Sequence, residues 1–126
     1  MSHISVMKIG FADRSLLLDA LKALGCEIDE SEGQAITDGK KTCKVDFTAE
    51  IAASGTIGFR KSKAGWQLVA DWFKVLTDRK QFENKLKQQY ALLAVRQQLG
   101  GQGFYTIEET KDSENRIHIL VRRTAP

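Results

Sequence analysis

The feature that most constrains this chain is an order of elements that occurs twice. Strand-like alternation over residues 3–11 leads into a helical stripe, a glycine, and a second strand opening at Gly25-Cys26-Glu27-Ile28. The second half repeats that order, with a strand at 66–72, a longer helix, then Gly103-Phe104-Tyr105-Thr106. Each unit closes on a further strand, at 42–51 and at 116–123, and an extra strand lies at 56–61. Helices that connect strands bury their apolar stripes against a sheet. Two βαββ-like units therefore predict an α+β fold, one antiparallel sheet of six to seven strands with two helices on one face. The 126 residues fit a single domain spanning 1–126, with 124–126 as a frayed tail.

Local chemistry supports each boundary. Asp13 is placed to cap a helix over 14–24, where Leu17, Ala20, Leu21 and Leu24 form one stripe and Gly25 supplies the left-handed stop. Residues 42–51 hold the cleanest period-two pattern, Cys43, Val45, Phe47 and Ala49 alternating with Lys44, Asp46, Thr48 and Glu50. Glu30 to Lys41 has loop composition, with a turn at Asp38-Gly39. Ser54-Gly55 turns the chain into 56–61, and Lys63-Ala64-Gly65 closes a hairpin with 66–72. Asp78 and Gln81 form a capping box for a helix over 79–99, whose stripe is Phe82, Leu86, Tyr90, Leu93 and Ala94. Gly100, Gly101 and Gly103 end that helix, and 104–110 with 116–123 read as a terminal hairpin around Asp112-Ser113-Glu114-Asn115.

Several chemistries find no foothold. The hydrophobic and charged fractions, 42% and 28%, are those of a folded globular chain. No apolar run approaches the ~20 residues of a membrane span, and the N-terminus lacks the basic start and apolar stretch of a signal peptide, so a cytoplasmic protein is expected. Cys26 and Cys43 both sit in strand segments, where free cysteine acts as a small hydrophobe. His3 and His118 are close to neither each other nor a cysteine, so no metal site is expected. Glu108-Glu109 and Asp29-Glu30 are adjacent pairs whose members point to opposite faces of a strand, a poor basis for acid-base chemistry. Neither a phosphate loop nor a nucleophile elbow is present, and no catalytic residue or cofactor is expected.

Two features point toward binding. The formal charge is only +3, but residues 1–39 carry three basic and seven acidic side chains, against sixteen basic and nine acidic in 40–126. Such asymmetry orients encounters with a charged partner. Residues 58–73 gather both tryptophans, two phenylalanines and three basic side chains. Arg60, Lys61, Lys63 and Trp66 are the candidate partner-binding residues, because tryptophan and arginine commonly anchor protein interfaces. In this reading Trp66, just after the glycine turn, is partly exposed while Trp72 fills the core. The alternative is a nucleic-acid-binding domain, in which a basic-aromatic sheet surface stacks single-stranded bases. Asp71, between apolar neighbours, reads as a buried acceptor bracing the turn into the long helix.

The series Met1-Ser2-His3, Ile57-Gly58-Phe59, Leu68-Val69-Ala70-Asp71-Trp72, Phe82 through Tyr90-Ala91, Gly103-Phe104, Glu108-Glu109 and a closing Arg122-Arg123 resembles the hypothetical chloroplast reading frame 35 family. That is a domain-of-unknown-function family of cyanobacteria and algal plastids, and the resemblance runs from Met1 to about Arg123. It implies a cytosolic or stromal location and carries over no functional residues. Some relatives sit near genes for AAA-type ATPases, which implies an accessory role in a protein assembly. In the family the last strand often ends in Arg-Trp, whereas here Arg122-Arg123-Thr124 stands in its place. The combined expectation is a small non-enzymatic binding or adaptor domain with a protein partner.

Overall fold

The computed structural model describes residues 3–114 and 116–123, so the tail 124–126 and Asn115 of the expected turn lie outside it. In chain order the elements are β1 (Ile4–Lys8), α1 (Arg14–Ala23), β2 (Glu27–Asp29), β3 (Ala35–Thr37), β4 (Thr42–Lys44), β5 (Phe47–Ile51), β6 (Gly55–Ser62), β7 (Gly65–Asp71), α2 (Arg79–Gly101), β8 (Phe104–Lys111) and β9 (Ile117–Arg123). The α+β class and both helices agree with the expectation. The strands divide into an antiparallel five-stranded sheet ordered β1-β7-β6-β5-β2 and two separate ribbons, β3-β4 and β8-β9.

Both helix starts follow the cap chemistry. The Asp13 carboxylate accepts from Leu16 N at 3.1 Å, and Asp78 accepts from Gln81 N at 2.9 Å. Alternation along β5, β6 and β7 then sends Phe47, Ala49, Ile57, Phe59, Leu68 and Ala70 to one face. That face is sealed by Leu17 and Leu21 of α1 and by Phe82 and Leu86 of α2 in one continuous core. Tyr90 ties α2 to the β1–α1 connection. Its ring stacks on Phe11 with centroids 3.9 Å apart, and its hydroxyl accepts from Asp13 N at 3.1 Å.

The opposite face of the sheet is covered differently from the expectation. The alternating segment 42–51 is two strands, broken at Val45 and Asp46. Val45 N donates to Gln34 O at 3.0 Å, whereas Asp46 N donates to Phe59 O at 2.8 Å, so the chain changes partner there. Before the break β4 pairs with β3, which lies inside the segment expected to be loop. This ribbon folds onto the open face, where Ile36 and Val45 pack on Val69. Residues of one parity thus bury against two different faces: Val45 against the open face and Phe47 against the helices.

The terminal hairpin stands apart from the main sheet: among the described residues β8 pairs with β9 alone. It follows α2, whose 23 residues at 1.5 Å per residue are roughly 35 Å of chain. A bidentate ion pair from Arg96 of α2 to Glu109 of β8 fastens the ribbon to the helix.

Candidate functional site

The four residues singled out as a binding edge are not brought together. Trp66 is 2% exposed and lies in the helix-side core, tilted against Phe47 at 5.4 Å between ring centroids. The expectation of partial exposure for Trp66 is therefore corrected. The glycine turn ahead of it does not end in solvent, because the β1–α1 connection folds over the hairpin. Trp66 N donates to Phe11 O at 2.8 Å, and a Cβ on Gly65 would come within 2.5 Å of that same oxygen. The Arg14 guanidinium closes the core from above, 5.8 Å from the Trp66 ring. Trp72, assigned to the core, is half-buried against it.

Arg60 points to the other face. Its guanidinium donates twice to Gln67 Oε1, at 3.0 and 2.8 Å, and once to Cys43 Sγ at 3.2 Å. It braces the β3-β4 ribbon and is half-buried. Lys61 and Lys63 are exposed at the β6–β7 turn, and Lys61 N donates to Asp46 Oδ2 at 2.8 Å. The aromatic half of the expected stacking platform, Phe59 and Trp66, is under the helices. The basic-aromatic sheet surface of the nucleic-acid reading is consequently absent from residues 58–66.

The structure exposes apolar side chains elsewhere, at the end of the sheet where β7 runs into α2. Asp71 is 3% exposed and accepts from Phe73 N at 3.1 Å and from His3 N at 3.3 Å, the bracing role read from its position. Lys74 N returns to Asp71 O at 3.0 Å. This tight turn tucks Trp72 and Val75 inward and turns Phe73 and Leu76 out, 68% and 79% exposed. The loop is nonetheless held firmly. Leu76 N donates to Ser54 O at 3.2 Å, the Ser54 and Thr77 hydroxyls are 2.6 Å apart, and Lys74 Nζ reaches Thr37 O at 3.3 Å.

Charge around these two side chains is basic. Lys74 lies between them in sequence, and α2 opens with Arg79 and Lys80, three cations set against one exposed carboxylate, that of the N-cap Asp78. Cations there oppose the helix macrodipole, which favours acids at an N-terminus. In the nearby Asp38-Gly39 turn, Asp38 accepts from Lys41 N at 2.7 Å and Lys40 N at 2.8 Å, and from Ile4 N of β1 at 3.3 Å. Those amides hold its carboxyl at about 2, well below the ordinary range. Sequence reading missed Phe73 and Leu76 as surface residues. The available signal was two large apolar residues inside a connection, between the end of a strand and a helix cap.

Among the described residues no three His, Cys, Asp or Glu side chains converge as metal ligands. Cys26 and Cys43 are free thiols, and burial pushes the Cys26 thiol up. No helix among the described residues is long and apolar enough to cross a membrane.

A family model described as protein of unknown function (DUF1257) matches residues 20–120. The chain belongs to the DUF1257 family. The match runs from the last turn of α1 into the middle of β9 and so takes in the loop of Phe73 and Leu76. This DUF1257 chain is also 27% identical over 126 residues to a Cyanophora paradoxa protein described as uncharacterized protein ycf35, covering 98% of each. That relative agrees with the resemblance seen in the residues. No solved structure matches the chain.

Proposed function

We propose that this DUF1257 chain is a single-domain adaptor that docks a protein partner through the loop carrying Phe73 and Leu76. The observation that carries the reading is the outward placement of both side chains on a loop whose backbone is already hydrogen-bonded in place. Apolar anchors held in one conformation lose little entropy on binding. Basic neighbours that oppose the helix dipole gain most from an anionic partner, so the partner surface is an apolar pocket with an acidic rim. The AAA-type ATPase implied by the family resemblance is the first partner to test, in the cytoplasm or the plastid stroma.

The test is affinity capture from a native lysate with the wild-type chain beside a Phe73→Ser/Leu76→Ser double variant, followed by mass spectrometry. A protein retained by the wild type and lost from the variant, with the thermal midpoint unchanged, supports the reading. An identical set of proteins on both baits overturns it.

A further inference from the structure

The ribbon β8-β9 is the least supported element of the fold. It pairs with no strand of the main sheet and rests chiefly through β8 on the C-terminal half of α2. Two strands alone are marginal in water. Between helix and ribbon lies an open cleft of about 450 Å³ floored by Ala91, Leu92, Val95, Ile117 and Ile119.

The two outer edges of this ribbon differ. β8 carries a register shift between Thr106 and Glu108 and exposes Glu108 and Lys111, the devices that keep edges from pairing. β9 has neither an extra residue nor a charge over its middle: the shift falls opposite Leu120 and Val121, but Ile119-Leu120-Val121 itself is continuous, uncharged and rich in strand-forming residues. Leu120 is 54% exposed on the face away from the cleft, while Ile117, Ile119 and Val121 alternate with it and are half-buried.

We propose that the free edge of β9 pairs antiparallel with β9 of a second copy of this chain, making a four-stranded layer ordered β8-β9-β9-β8. A two-fold axis through Leu120 sets Ile119 of one copy opposite Val121 of the other, and the two Leu120 side chains face each other. Opposed residues in an antiparallel pair share a face, so the cleft-side apolar row continues across the seam and both α2 helices lie on that side. Only identical edges give this closed, self-complementary arrangement. The charged residues Arg122 and Arg123 fall outside the apolar centre, opposite His118 and Ile117.

The experiment is sedimentation equilibrium on the full chain, with Leu120→Lys as the disrupting variant. Leu120 is exposed within one copy, so the variant keeps its fold by circular dichroism, yet it sets two like charges directly opposite across the seam. A wild-type dimer that becomes monomeric in Leu120→Lys is the expected result. Leu120→Cys in a Cys43→Ser background is expected to form an intermolecular disulfide on mild oxidation. A wild type that stays monomeric at micromolar concentrations overturns the proposal. So does a dimer that Leu120→Lys leaves intact and Leu120→Cys fails to cross-link.

Discussion

Gly58 lies directly beneath Val45. A Cβ on this glycine would come within 2.7 Å of Val45 Cγ1 and 2.8 Å of Ile36 Cγ1. The β3-β4 ribbon can therefore lie flat on the open face only because β6 has no side chain at that point. Gly58→Ala is expected to cost about 1–3 kcal/mol by overpacking. Adding Val45→Ala removes the methyl groups in the way, so a denaturant titration of the double variant should show less than the sum of the two losses.

The helix-side core should respond in the opposite manner, by cavity formation. Leu86 and Trp66 are both buried between sheet and helices. Leu86→Ala is expected to cost ~2–5 kcal/mol and Trp66→Ala ~3–5 kcal/mol in chemical denaturation. A Trp66→Ala variant with a near-native midpoint would return that side chain to the surface.

Asp71 gathers two backbone amides, those of His3 and Phe73. Asp71→Ala should lower stability by about 1–3 kcal/mol, the loss of two hydrogen bonds to a buried carboxylate. It should also speed hydrogen exchange at the Phe73 amide, because the turn that orients Phe73 loosens. Unchanged exchange there would separate the carboxylate from the loop geometry.

The two thiols should be distinguishable in the folded protein. Cys26 is buried and its thiol is pushed up by desolvation, whereas Cys43 is half-buried. A charged aromatic disulfide reagent should titrate one thiol in native conditions and two after denaturation. Peptide mapping should place the native label on Cys43.

Acid should act on the Asp38 turn. Its carboxyl sits at about 2 when folded against 3.8 for the free group, so the unfolded chain takes up the proton first. The stabilisation is present above about pH 4 and fades as pH falls toward 2. Asp38→Asn removes that titration. The gap in urea midpoint between wild type and variant should close over this window, and a constant gap would contradict the assignment.

Particular residues show how far local pattern reaches. Asp13, Asp78 and Gly25 were readable as helix ends because capping is satisfied within a few residues of chain. The Leu17–Leu21 and Phe82–Leu86 stripes were readable because burial repeats with the helix period. Ile36 was not readable, since a lone apolar residue in a polar stretch carries no periodicity. The exposure of Trp66 was misjudged because its neighbour in space is Phe11, far away in sequence.

By itself the sequence determined the α+β class, the two helices with their caps, and Asp71 as a brace. The caps and stripes depend on hydrogen bonds or side-chain spacing within one or two turns of chain, as does the bond from Phe73 N to Asp71, whereas the bond from His3 N to Asp71 crosses 68 residues. Only the tertiary structure decided that 42–51 splits between a ribbon and the sheet, that Phe73 and Leu76 face solvent while Trp66 does not, and that β8-β9 stands alone. Period-two alternation tells which residues share a side of a strand, but both sides of this sheet are covered, one by helices and one by a folded-back ribbon. Which cover meets which side depends on long-range packing, such as Val45 settling over the bare backbone of Gly58.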